Sequence, residues 1–263
     1  MTQFSSTPPD WVLPEGVNKT QWEYISNEFI ARNYDSSLKD NELFTQDISF
    51  LEKHFKSNGI VLDLGCGTGR VAKFFTTKRI KVLGVDLSLP MLFEAVRKKT
   101  STPHLYIRSN MVDLSFLSTS SIDYATCLFS SYGMLLDEKY RRTMLRETFR
   151  ILKPGGKFVL HAHNLWSAGV GFQGYYWFAY DLLRRSFHSA NFGNRKLPNH
   201  QGITGLTLHL FTWSEIQKLL VESNFQIIEV LPLGNVLWTP SSSVSILKVI
   251  KSHGFLIAAQ KLT

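Results

Sequence analysis

Cysteine is nearly missing from this 263-residue chain, with Cys66 and Cys127 as its only two. Two thiols cannot build the disulfide framework of a small secreted domain, and no Cys/His spacing has the form of a zinc site. Both are read as free thiols in a reducing compartment, and no metal is expected. Long apolar runs are missing as well, and none approaches the length that crosses a bilayer. Residues 1–16 contain Pro8, Pro9 and Pro14 but no basic stretch followed by an apolar one, so they read as a tail and not a secretory leader. These absences together predict a cytoplasmic protein. Acidic residues are outnumbered, 21 Asp and Glu against 29 Lys and Arg, which leaves a net charge of +8. Such an excess raises the question of a nucleic-acid partner. The basic clusters answer against it. Lys78-Arg79-Lys81 and Arg97-Lys98-Lys99 stand at helix ends, where cations offset the helix dipole. Arg141, Arg142, Arg146 and Arg150 lie on the outer face of a helix, and none of the clusters is interleaved with aromatic residues as a nucleic-acid groove is.

With 44% hydrophobic and 19% charged residues the chain has a globular composition. Its most informative stretch is Val61-Leu62-Asp63-Leu64-Gly65-Cys66-Gly67-Thr68-Gly69-Arg70. Val61, Leu62 and Leu64 suit a strand buried in a parallel sheet. Three glycines at alternate positions then allow a sharp turn and a close approach of the backbone to a ligand, because no Cβ intervenes. A helix from Thr68 presents Val71, Ala72, Phe74 and Phe75 to the core and its free N–H groups to an anion. The following strand, residues 80–85, ends in Asp86, 21 positions after Gly65, where a nucleotide-binding βαβ unit needs an acceptor for ribose hydroxyls. Position 70 is Arg, so the third glycine of the dinucleotide fingerprint G-x-G-x-x-G is absent. The pattern present is G-x-G-x-G behind Asp63-Leu64.

This pattern resembles the D-x-G-x-G-x-G signature of the class I S-adenosylmethionine (SAM)-dependent methyltransferases, and the turn Leu152-Lys153-Pro154-Gly155-Gly156 before a strand is a second marker of that family. The likeness is close over residues 60–163 and looser over 211–261. It implies SAM as cofactor and a Rossmann-like, doubly wound α/β fold with a seven-stranded mixed sheet, its last strand antiparallel. It also implies that the loop Gly65, Gly67 and Gly69 holds the methionine half of SAM. By the same likeness Asp63 reaches towards the methionine ammonium, Asp86 holds the ribose, and Tyr34, in a tyrosine-aspartate pair with Asp35, closes over the cofactor. In the segment that frames adenine, Asn110 stands where the family has an acid, and its side-chain carbonyl can still accept from the adenine amino group; Met111 follows it. Phe129, after the fourth strand, is expected beside the methyl-bearing sulfur.

The whole chain reads as one methyltransferase domain. Residues 1–56 form a tail and helical cover, 60–163 the cofactor core, 164–210 an aromatic insertion, and 211–263 a final helix and strand hairpin. The insertion carries Trp166, Tyr176, Trp177 and Phe192 and is expected to act as a lid over a small-molecule methyl acceptor. His163 at the end of the fifth strand is the best-placed base, with His161 and His209 as further candidates, and Tyr132 is a second catalytic candidate. His161 and His163 should point the same way by strand alternation. The expected reaction is in-line transfer of a methyl group to an oxygen or nitrogen nucleophile. The alternatives are an RNA (tRNA) methyltransferase, which is not favoured because N/D-P-P-Y/F is absent after the fourth strand, and a SAM-binding protein without turnover.

Overall fold

A computed structural model describes residues 8–37, 42–56, 58–75, 80–98, 104–129, 131–169, 192–197, 202–234 and 252–262. Three helices come first: α1 (Lys19–Ile25), α2 (Glu28–Ser37) and α3 (Glu42–His54). The alternating core follows as β1 (Gly59–Leu64), α4 (Arg70–Phe75), β2 (Ile80–Asp86), α5 (Leu89–Arg97), β3 (Leu105–Arg108), β4 (Ile122–Cys127), α6 (Glu138–Ile151) and β5 (Leu152–His163). A short hairpin of β6 (Asn194–Lys196) and β7 (Thr207–His209) precedes α7 (Trp213–Glu222), β8 (Phe225–Leu233) and β9 (Gly254–Lys261).

The main sheet has seven strands in the order β3-β2-β1-β4-β5-β9-β8, and β9 alone runs antiparallel to its neighbours. β1 therefore lies inside the sheet between β2 and β4, next to the point where the chain reverses its direction of winding, which is where open α/β sheets bind ligands. Its side chains explain the placement, since Val61, Leu62 and Leu64 are fully buried between the helical layers. One layer packs Val61, Val159, Leu256 and Ala258 against Phe50, Leu51 and Phe75; the other packs Leu62, Leu64 and Leu160 against Met144, Leu145 and Leu219. Cys66 and Cys127 are both buried free thiols.

Local chemistry sets the helix starts. Ser88 caps α5, its Oγ accepting from Met91 N at 3.3 Å, with Pro90 in the first turn. Thr212 caps α7 by accepting from Glu215 N at 3.2 Å. The expected turn at Lys153-Pro154-Gly155-Gly156 is a bulge within β5: Leu152 pairs with Ile122, and pairing resumes with Lys157 opposite Tyr124. The expected fourth strand stops earlier than its apolar run suggests. β4 ends at Cys127, and Phe129 has a positive φ of 51°, which turns the chain out of the sheet and over the site. Most of the aromatic insertion, including Tyr176 and Trp177, lies outside the described residues, as do residues 235–250 with Trp238. No helix among the described residues is long and apolar enough to cross a membrane.

Candidate active site

The carboxyl ends of β1, β2 and β4 open into a cavity of about 350 Å³. Gly65, Gly67, Asp86, Asn110, Met111 and Phe129 all line it, together with Tyr34 and His163. A side chamber of about 30 Å³ adjoins it and is lined by Asp63, Arg70 and Phe44, with Tyr34, Gly65, Gly67 and Phe129 shared between the two spaces. Residues far apart in the chain thus converge on one space.

The glycine loop divides its labour. Gly65 has φ 72°, and a Cβ there would stand 2.6 Å from the side chain of Ser131. Gly67 has φ 52°, yet a Cβ would meet nothing within 4 Å; its backbone faces open space that a ligand can enter. Gly69 is different. It does not line either space, and a Cβ there would lie 2.6 Å from the Tyr106 hydroxyl. Its expected part in holding the cofactor becomes a packing requirement between the loop and β3.

Asp86 accepts from Gly67 N and Ser88 N, both at 2.8 Å, one on each carboxylate oxygen. Each oxygen keeps a further lone pair for a ribose hydroxyl. Burial pushes its carboxyl above the ordinary range, and those backbone donors pull the other way. Asp63 is 2% exposed. Burial and the nearby Asp86 charge push it up to about 7, with the Arg70 guanidinium opposing. That guanidinium lies among three rings, 4.0 Å from the centre of Phe129, 4.7 Å from Phe44 and 5.3 Å from Tyr34. A carboxyl and a guanidinium in one small chamber suit the two charges of an amino-acid zwitterion.

Tyr34 lines both the cavity and the side chamber. Asp35 anchors it: its carboxylate accepts from the Thr68 hydroxyl at 2.6 Å and pairs with Lys98. Asn110 lines the cavity with its side chain already engaged on both ends. Its amide donates to Glu15 O at 2.8 Å, and its carbonyl accepts from Val112 N at 3.3 Å, so both ends serve the local turn and the amino-terminal segment. Tyr132 is corrected outright. It is fully buried, stacked on Phe211 at 5.1 Å, and its hydroxyl donates to Arg141 O at 3.3 Å; it lines neither space and is a core residue. His209 is likewise held between Asn194 and Glu215 at 2.7 and 2.8 Å, away from the cavity.

His163 does line the cavity. Burial, with His161 and His253 close by, pushes its imidazole down to about 3, so it is neutral at neutral pH. The rings of His161 and His163 are 5.2 Å apart, as strand alternation requires.

Sequence reasoning missed the roof. Glu15, Val17, Gln21, Tyr24 and Ile25 line the cavity, although residues 1–56 read only as a tail and helical cover with Tyr34 as their one site residue. Gln21 Nε2 donates to Met134 O at 2.5 Å and Ser88 Oγ to Ile25 O at 2.5 Å, tying α1 across the site. Asn18 and Gln21 form a reciprocal capping box at the start of α1, a signal in the sequence that marks ordered structure there.

Residues 61–156 match a family model described as a methyltransferase domain. This part of the chain is a SAM-dependent methyltransferase domain of class I fold. A demethylmenaquinone methyltransferase from Symbiobacterium thermophilum is 29% identical over 57% of this chain and 62% of its own length. Against other curated relatives the methyltransferase chain spans about half their length. In fold it is similar to a SAM-dependent methyltransferase from Methanosarcina mazei (TM-score 0.62, 24% identity, 81% of this chain and 97% of that one). It is also similar to the Burkholderia thailandensis 1,6-didemethyltoxoflavin-N1-methyltransferase, solved with S-adenosylhomocysteine bound (TM-score 0.57, 15% identity, 96% and 94%). SAM is thus the cofactor, and the open cradle at Gly67 with the acceptor-rich rim at Asp86 fits it.

Proposed function

We propose that this methyltransferase acts on a small-molecule acceptor, methylating an oxygen or nitrogen nucleophile in line with the leaving sulfur. SAM supplies a methyl group on a sulfonium with a good leaving group, so the protein's task is alignment, exclusion of water and handling of one proton. On this reading Asp86 binds the ribose, Gly65 and Gly67 the backbone-facing edge of the methionine, and Asp63 and Arg70 its ammonium and carboxylate. Met111 packs beside the base. Phe129, turned out of the sheet by its positive φ, covers the reacting end.

One observation carries the acceptor class. Beyond the cofactor loop the same cavity continues between Met134, Leu135, Leu206 and Leu208, with His163 in its wall. An apolar, roofed space with one neutral imidazole suits a compact organic molecule that can be desolvated. His163 is the group that accepts the acceptor's proton. The RNA alternative loses ground on the outer helix, where Arg142 pairs with Glu138 and Glu222, and Arg150 with Glu147. These cations are neutralised within the chain.

The test is incubation of the protein and methyl-labelled SAM with a fractionated cell extract. Label in the small-molecule fraction supports the reading. Label in RNA or protein refutes the acceptor class, and no transfer to any fraction, with SAM bound, supports a binding protein without turnover. His163→Gln should lower transfer by about 10²–10⁴-fold if the imidazole takes the proton.

A further inference from the structure

Directly beneath His163 lies a polar pair that the apolar layer does not need. His161 and Asp47 are both fully buried. His161 Nδ1 meets the Asp47 carboxylate at 2.9 and 3.1 Å, across 114 positions of sequence. Their surroundings are apolar: Phe50 and Leu51 on α3, Val159 on β5 and Leu256 on β9 belong to one hydrophobic cluster, and Phe129 stands 5.9 Å from the imidazole. Withdrawing such a pair from water is costly, and apolar residues of similar size often serve stability as well or better. A second observation gives the pair a direction. His161 Nε2 is buried and has no hydrogen-bond partner among the described residues, a state that is ordinarily costly.

We propose that Asp47 and His161 form a proton sink behind His163: Asp47 holds the proton on Nδ1 of His161, and the unpartnered Nε2 receives the proton that His163 takes from the methyl acceptor. This rests on the reading of His163 as the proton acceptor. His163 faces the cavity, and with ring centres 5.2 Å apart and His161 held in place by Asp47, a turn of the His163 ring brings one of its nitrogens towards Nε2. The step balances. The acceptor's lone pair forms the bond to the methyl carbon, the carbon–sulfur bond breaks with its electrons staying on sulfur, and the acceptor's proton passes through His163 to Nε2. The resulting imidazolium faces the Asp47 carboxylate, which stabilises it by charge and hydrogen bond. It returns its proton to water when the product leaves. The titratable groups facing this pair are Asp47 on α3, His163 on β5 and His253 ahead of β9, and only Asp47 is acidic. His161 and Asp47 are thus positioning residues, and His163 is the one at the cavity.

Nitrogen NMR of histidine-labelled protein with S-adenosylhomocysteine reads the tautomers without turnover. The expected wild-type spectrum shows His161 protonated at Nδ1 and bare at Nε2 near pH 7.5. On acidification the proton should appear on His161 Nε2 while His163 remains neutral. In His161→Gln the His163 midpoint should move up by about one pH unit, because a nearby positive charge is removed. A wild-type His161 protonated at Nε2 instead of Nδ1, or a His163 that takes up its proton first, overturns the proposal. Asp47→Asn should abolish the Nδ1 preference. If that variant does not fold, Asp47→Glu must preserve it, and the wild-type spectrum decides by itself. The extract assay with His163→Gln separately tests whether His163 takes the acceptor's proton.

Discussion

Replacing Asp63 by asparagine should stabilise the ligand-free protein at alkaline pH while weakening SAM binding. The carboxyl is 2% exposed and moves from an ordinary 3.8 to about 7 on folding. A raised carboxylate favours the protonated native state, so its contribution is fully present below about pH 4 and is lost as pH rises through about 7. At 1.36 kcal/mol for each pH unit, ionising Asp63 in the empty site costs about 4 kcal/mol by pH 8. The asparagine side chain has nearly the same shape and no charge to desolvate. Urea unfolding of both proteins between pH 4 and 8 should give stability curves that diverge by a few kcal/mol, with the wild type falling behind. SAM reverses the balance, since a cation beside Asp63 favours its carboxylate. Calorimetry at pH 6 in buffers of different ionisation enthalpy should therefore show a large fraction of one proton released when SAM binds to the wild type and little in the variant. Parallel stability curves, or equal proton release, would falsify the assignment of Asp63 as the buried partner of the cofactor's positive charge.

Three further outcomes follow from the site geometry. Asp86→Ala should weaken SAM binding by about one to two orders of magnitude, the equivalent of 1–3 kcal/mol for a lost hydrogen-bond partner, as measured by calorimetry; unchanged affinity removes Asp86 from the site. Gly65→Ala should lower the melting temperature through its 2.6 Å clash with Ser131. Gly67→Ala, with no protein atom in its way, should cost only about 1–2 kcal/mol of backbone strain but sharply reduce SAM affinity, and equal effects of the two on both readouts contradict the division of labour in the loop. Tyr132→Phe should cost about 1 kcal/mol of stability for its hydrogen bond to Arg141 and leave methyl transfer to the labelled fraction unchanged. A large loss of transfer with normal SAM binding would return Tyr132 to catalysis.

Most of the cofactor side was legible before any coordinates, because its chemistry is local. The alternation that buries Val61, Leu62 and Leu64, the glycines that free the loop, and the acid that ends β2 lie in consecutive residues, and short-range sterics and periodicity decide them. The same holds for the parallel direction of His161 and His163. Errors arose where one residue type serves two ends. Gly69 has the spacing of a ligand glycine but is required by Tyr106. Tyr132 follows the fourth strand at a plausible distance, yet the short turn at residues 131–134 rotates it into the core.

What closes the site depends on contacts between distant segments. The amino-terminal segment becomes a roof because Asn110 and Ser88 donate to its carbonyls at Glu15 and Ile25, while its own Gln21 donates to Met134 O. Arg70 finds Tyr34 and Phe44 from two other helices, and Asp47 finds His161. Such pairings depend on how helices lie across a sheet, and the period of apolar residues says which face a helix buries but not which side chain it will meet. The strand-loop-helix unit and its demand for a nucleotide-like cofactor are written into a few consecutive residues, since they follow from backbone freedom and hydrogen-bond valence. The position of the acceptor space, and the proton path behind it, follow from packing between segments far apart in the chain.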